Sequence, residues 1–387
     1  MPDCMDMYRK KILITATDLM TVQFLLPHIR NLAAHGYVVT VACSDVGGRL
    51  EEVRKALQDT VNGICQVRLH RNPANPENLL GLADMCRLLD RTHYDIIWTN
   101  EPVMGVMTRL AAAKTRRNGT TVVYMVHGFH FFKGAPRLYW MTFYPVETLM
   151  SRFTDVIVTM NREDRQRARY MHAGEVRYQH GIGVNTDRLA PGTEPADIRG
   201  TIGIPEDSFL LLSVGELNEN KNHQTVIRAL ALVNNPEIHY CICGKGALLG
   251  KLQDLAEEMG LKEHVHFLGY RTDIVDIYRQ SDVFCLPSRR EGLALSAMEA
   301  MYCGLPLIQS DRRDSRDYMR NGRGGFLVEA NDIGGYAEAI ATLYEDPTLR
   351  RNMGRYNRKA VEPYCLKNVK KEILNLFDSL SRGKETP

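Results

Sequence analysis

Lys11-Ile12-Leu13-Ile14-Thr15 runs into a stretch carrying Phe24, Leu25, Leu26, Ile29 and Leu32, which closes at His35-Gly36-Tyr37 before Val38-Val39-Thr40-Val41-Ala42. The flanking runs are short, continuous and rich in β-branched residues, as strands buried on both faces of a parallel sheet are. The stretch between them is long enough for a helix, which a parallel connection needs. The pattern returns at 95–98, 121–126 and 155–159, and a second set occupies 209–214, 238–243, 265–268, 282–286 and 305–308. Strands alternating with helices of this length predict βαβ units. Between the sets, Ala190-Pro191-Gly192-Thr193-Glu194-Pro195 reads as a linker, with a boundary between 185 and 200.

The expected architecture is therefore α/β with two parallel-sheet domains, over 1–190 and 191–365. A last helix over 366–387, striped with Val369, Ile373, Leu374, Leu376 and Phe377, is expected to pack back on the first domain and to fray at Arg382-Gly383-Lys384-Glu385. Ligands of such sheets bind at the carboxyl ends of the strands, so two facing domains place those ends across one cleft.

Composition removes several function classes. A net charge of +3 over 387 residues is nearly neutral, which argues against nucleic acid as the main partner. Nine scattered cysteines without a Cys-x-x-Cys pair fit reduced thiols in the cytoplasm. The acidic start Met1-Pro2-Asp3-Cys4-Met5-Asp6 does not read as a signal peptide. No apolar run reaches the ~18 residues of a membrane span, so any membrane contact is expected from the side.

Chemistry concentrates after one buried strand. Residues 288–301, from Ser288 to Met301, hold Glu291 and Gly292 in a loop and begin a helix near Leu295, with Glu299 about one turn in. Glycine admits close backbone approach, and free N–H groups at a helix start attract phosphate. Taken alone, Glu291 capping the helix and Glu299 on a solvated face fit equally well. Upstream stand Val214-Gly215-Glu216-Leu217-Asn218-Glu219-Asn220-Lys221-Asn222-His223, Gly244-Lys245-Gly246 and Phe267-Leu268-Gly269-Tyr270-Arg271. In the first half, Val126-His127-Gly128-Phe129-His130-Phe131-Phe132-Lys133-Gly134 follows a clear strand. The first strand is not followed by G-x-G-x-x-G, which argues against a dinucleotide oxidoreductase.

These segments resemble the retaining glycosyltransferases of family 4, most closely in the second half and among bacterial capsular and exopolysaccharide enzymes. Glu291-Gly292-Leu293-Ala294-Leu295 and Glu299-Ala300-Met301-Tyr302-Cys303-Gly304 match the family's Glu-x7-Glu signature. The resemblance implies a GT-B fold, two Rossmann-like domains, and a nucleotide diphosphate sugar as donor, with uridine as the base. It assigns Glu291 to the donor sugar, Glu299 to the ribose, and the Gly292, Leu293, Ala294 and Leu295 amides with Gly215 and Lys221 to the diphosphate. Tyr270 and Arg271 would lie near the base or phosphate, and His127 near the transferred sugar. His130 and Lys133 are acceptor-side candidates, although His130 fits a loop-capping role too. No cofactor and no metal are implied.

Two departures stand out: Glu216 occupies the family's arginine position, and Thr17-Asp18-Leu19-Met20 replaces its glycine-bearing first loop. The aromatic run 137–153, with Arg162, Arg165, Arg167 and Arg169 downstream, fits either a core helix or one lying on an anionic bilayer. The expected activity is glycosyl transfer to a glycan or polyprenyl-diphosphate-linked acceptor in cell-surface polysaccharide synthesis, at the inner face of the plasma membrane. The competing readings are a non-hydrolysing nucleotide-sugar epimerase and a catalytically silent nucleotide-sugar-binding protein.

Overall fold

The computed structural model describes residues 9–46, 48, 50–190 and 196–382. The acidic start at 1–6, most of the linker (191–195) and the frayed end at 383–385 lie outside them. The chain divides into two units, Met1–Ile182 with Lys367–Pro387, and Gly183–Leu366.

Among the described residues the first unit holds seven strands: β1 Lys11–Asp18, β2 Val38–Val46, β3 Gly63–Gln66, β4 Ile96–Asn100, β5 Thr121–Val126, β6 Val156–Thr159 and β7 Glu175–Tyr178. They pair in the order β3-β2-β1-β4-β5-β6-β7, all parallel. β1 is central: Ile12 sits between Val39 and Ile96, and Leu13 between Thr40 and Ile97. That placement explains its unbroken apolar run, since helices cover both faces of a parallel sheet. Of the helix Leu19–Ala34 that follows, Leu25, Ile29 and Leu32 are buried while Phe24 faces outward. The last helix, Leu366–Arg382, lays Val369, Ile373 and Phe377 into this unit. Phe377 packs on Trp98 with ring centroids 5.3 Å apart, and Tyr37 donates to Asp378 at 2.8 Å.

The second unit holds β8 Phe209–Val214, β9 Ile238–Cys243, β10 Val265–Gly269, β11 Val283–Leu286, β12 Leu307–Ser310 and β13 Gly325–Val328. Their order is β10-β9-β8-β11-β12-β13, again all parallel. This unit begins at 183 rather than at 191. Val184 and Leu189 are already part of its core, and the Val184 N–H donates to the Tyr364 carbonyl while its own carbonyl accepts from Leu366 N.

In both sheets the strand order reverses once, between β1 and β4 and between β8 and β11. A crevice opens outside the carboxyl ends of strands at such a reversal, and ligands of α/β sheets bind there. Each unit therefore carries its own candidate site at a position fixed by topology.

Candidate active site

In the second unit the reversal is flanked by the loops after β8 and β11, and three successive residues of one tie it to the other through hydrogen bonds. The Asn220 carbonyl accepts from Arg289 N (2.8 Å), and the Asn220 side-chain amide donates to the Arg290 carbonyl (2.9 Å). Lys221 Nζ donates to Glu291 Oε1 at 2.8 Å, and Asn222 Nδ2 donates to the Pro287 carbonyl at 3.3 Å. Asn222 is buried, adopts φ 56°, and also donates to the Ala330 carbonyl at 2.7 Å. It fixes the turn that aims Lys221. Arg312, buried behind the same loop, donates to the Ser288 carbonyl at 3.2 Å and pairs with Asp314. Asn222 and Arg312 were not singled out from sequence. Asn222 adjoins the lysine, but its burial and left-handed backbone have no sequence signature of their own.

Lys221 is neither free at a helix start nor fully exposed. Its aliphatic stem lies over Gly215, where a Cβ would come within 3.0 Å of Lys221 Cε. Beneath them the turn after β9 is packed so tightly that side chains are barred. A Cβ on Gly244 would meet the Gly215 carbonyl oxygen at 1.8 Å. The Gly215 N–H donates to the Cys243 carbonyl, Leu217 N to Lys245 and Gly244 N to Gly269, so the loops after β8, β9 and β10 form one layer. The short glycine turn at 244–246 is thus required by packing at this end of the sheet.

The helix Leu295–Cys303 follows, with Ala294 as its N-cap and no side-chain cap. Glu291 therefore does not cap it. Glu299 does not sit on a solvated face either: Tyr278 OH donates to its Oε2 at 3.1 Å, and burial holds its carboxyl above the usual carboxylate range. Tyr270 is exposed beyond β10, while Arg271 is paired with Asp273, Nε to Oδ1 at 2.8 Å. Glu216 is exposed, and the loop that meets its own supplies Arg289 and Arg290.

In the first unit His127 sits at the end of β5. Asn100 donates through Nδ2 to the Thr15 carbonyl (3.2 Å), which turns its Oδ1 toward His127 Nε2 at 3.0 Å. Nε2 therefore carries the proton. Burial lowers the ring's pKa to about 4, so the imidazole is neutral with Nδ1 left as an acceptor. His130 stacks on Phe143, centroids 4.5 Å apart, and the exposed Lys133 gives its backbone N–H to Glu163 at 2.8 Å. Among the described residues no group of three or more His, Cys, Asp or Glu side chains is placed to hold a metal ion.

The helix Arg137–Met150 has two apolar faces. Its aromatic side packs inward, Phe131 meeting Trp140 and Tyr144. Outward, Leu138 (63% exposed), Met141 (75%), Val146 (46%) and Leu149 (52%) recur at helical spacing. Among the described residues no helix is long and apolar enough to cross a membrane.

Comparison with known proteins bears on the family and the fold. The family model "Glycosyl transferases group 1" matches residues 196–360, and "Glycosyltransferase Family 4" matches 23–178. The chain is 36% identical over 377 residues to EpsD of Bacillus subtilis (strain 168), a glycosyltransferase by assignment, covering 96% of this chain and 97% of that one. It is 29% identical over 336 residues to the Escherichia coli UDP-Gal:alpha-D-GlcNAc-diphosphoundecaprenol alpha-1,3-galactosyltransferase, covering 84% and 82%. Among solved structures, Anabaena Alr3699/HepE in complex with UDP and glucose superposes with a TM-score of 0.78 at 17% identity, over 96% of this chain and all of that one. The likeness extends over nearly the whole chain and both sheets, and the chain belongs to glycosyltransferase family 4, with the two Rossmann-like domains of the GT-B fold.

Proposed function

We propose that this glycosyltransferase moves a sugar from a UDP-sugar to a hydroxyl of a lipid-linked glycan, with retention of anomeric configuration, at the cytoplasmic face of the membrane during cell-surface polysaccharide assembly. The observation that carries the donor half is the Lys221–Glu291 pair held over Gly215 at the reversal of the second sheet. The Escherichia coli relative, named for a UDP-sugar donor and a diphosphoundecaprenol-linked acceptor, supports the substrate classes.

In this reading the bond from the sugar's anomeric carbon to the diphosphate breaks while a bond to the acceptor oxygen forms on the same face. The acceptor's proton passes to the departing phosphate oxygen. Lys221 and the amides of Gly292 to Leu295 stabilise the charge growing on the diphosphate. Glu291 and neutral His127 orient the sugar, a positioning contribution. Glu299, already held by Tyr278, accepts from the ribose hydroxyls. No metal takes part. The exposed stripe of the Arg137–Met150 helix, with Arg162, Arg165 and Arg169 nearby in sequence, supports contact with an anionic bilayer.

The deciding experiment offers UDP- and GDP-sugars with lipid-linked and soluble acceptors, with and without EDTA, and reads product anomer by NMR. An α-linked product from an α-linked UDP-sugar at an EDTA-insensitive rate is expected. Inverted product, or a changed nucleotide sugar released without acceptor, would sink the reading.

A further inference from the structure

The reversal point of the first sheet carries a feature that donor handling leaves unused. β1 and β4 end side by side, and the residue that follows β4 is Glu101, with φ 64° and ψ 155°. That combination belongs to a region occupied almost only by glycine, and residues held there cluster at ligand-binding sites. Its carboxylate is oriented on both sides: Oε2 accepts from Thr17 N and Oε1 from Thr21 Oγ1 at 2.9 Å. Burial keeps it above the usual carboxylate range.

Glu101 lines a cavity of about 780 Å³, together with Arg71 and with Val106, Met107, Leu138 and Val146 of two apolar helices. Leu138 and Val146 also belong to the exposed stripe of the Arg137–Met150 helix, so the cavity wall continues into the apolar surface. A guanidinium, a carboxylate and a hydrocarbon wall in one cavity match an amphiphile whose head carries phosphate and sugar hydroxyls.

We propose that this cavity binds the prenyl-diphosphate acceptor: hydrocarbon lies along Val106, Met107, Leu138 and Val146, Arg71 takes the diphosphate, and Glu101 accepts a hydrogen bond from a hydroxyl of the acceptor sugar. The proposal rests on the lipid-linked acceptor reading above. It makes Glu101 an acceptor-selecting residue, placed where the second unit places its donor site.

Two measurements test it. Farnesyl diphosphate binding, read by calorimetry against inorganic diphosphate, reports the hydrocarbon wall. Wild-type protein should bind farnesyl diphosphate at least tenfold tighter than diphosphate, and Val106→Trp should abolish that advantage. Equal affinities overturn the cavity assignment. For Glu101→Gln, kcat/KM toward the sugar-diphosphoundecaprenol acceptor should fall at least tenfold, with UDP affinity and farnesyl diphosphate affinity unchanged. Unchanged kcat/KM overturns the role of Glu101, and a parallel loss of UDP and farnesyl diphosphate affinity shows it to be a structural clasp instead. A wild-type chain inactive on every acceptor defeats the transfer reading itself and Glu101's role with it, whereas farnesyl diphosphate binding still judges the cavity.

Discussion

Lys221 carries a positive charge that Glu291 already answers at 2.8 Å, both side chains being largely withdrawn from solvent. A phosphate that reaches this ammonium must share it with, or take it from, the carboxylate. Removing one partner or the other should therefore move nucleotide affinity in opposite directions. Lys221→Met should weaken UDP by about 1.5–3 kcal/mol, the range for a hydrogen bond to a charged group, or roughly 10- to 100-fold. Glu291→Gln should bind UDP at least as tightly as wild type and still lose transfer. Calorimetry with UDP separates the two, and equal losses in both variants would remove Lys221 from the diphosphate. The pair was legible in the sequence because it lies in spaced motifs, each just after a buried strand. Asn222 and Glu101 were not. What marks them is a backbone angle, and in Asn222 a set of bonds to distant carbonyls, which exist only once the sheet order brings separate strand ends together.

At the scale of elements, the helices Pro102–Ala111 and Arg137–Met150 are joined by a buried ion pair. Arg109, fully buried, donates to Glu147 Oε2 at 2.9 Å and lies 3.9 Å over the Tyr124 ring, whose hydroxyl donates to Glu147 Oε1 at 3.0 Å. Breaking such a pair from one side strands a charge, at a cost of about 3–5 kcal/mol. Glu147→Ala should lower the first unit's Tm by about 10 °C, while Arg109→Met with Glu147→Leu should recover most of it in thermal melts. Elements with strong patterns were legible: the runs at 121–126, 209–214 and 238–243 match β5, β8 and β9 residue for residue. The edge strands β3, β7 and β13 went unread. Gly63-Ile64-Cys65-Gln66 and Glu175-Val176-Arg177-Tyr178 have one neighbour each and are only partly buried, so they lack the apolar run that marks a central strand. The Arg137–Met150 helix resisted reading for the opposite reason, being apolar on both faces.

For the molecule as a whole, each unit holds histidines that burial keeps neutral, His28 and His127 in the first and His223 and His239 in the second. His28 donates from Nε2 to the Ile182 carbonyl at 2.7 Å, and its Nδ1 meets no partner among the described residues. His223 lies 3.3 Å from the Tyr240 hydroxyl through Nδ1, with Nε2 likewise unpartnered. Burial lowers both pKa values from 6.5 to about 4. Between those values the unfolded chain binds protons that the folded chain refuses, so stability is lost as pH falls through that window and changes little above pH 7. Each histidine should cost its unit about 2 kcal/mol between pH 7 and pH 5, or about 4–8 °C in Tm. Glu101 and Glu299, held above the usual carboxylate range, act in the opposite sense and soften the slope. The two units can be told apart because both tryptophans, Trp98 and Trp140, lie in the first. In melts followed by tryptophan fluorescence, His28→Gln should remove about half of the first unit's acid dependence, His127 with its pKa also lowered to about 4 keeping the rest, and His223→Gln should leave it as in wild type. If His28→Gln retained the full slope, the burial of that ring would not be what makes the first unit acid-sensitive.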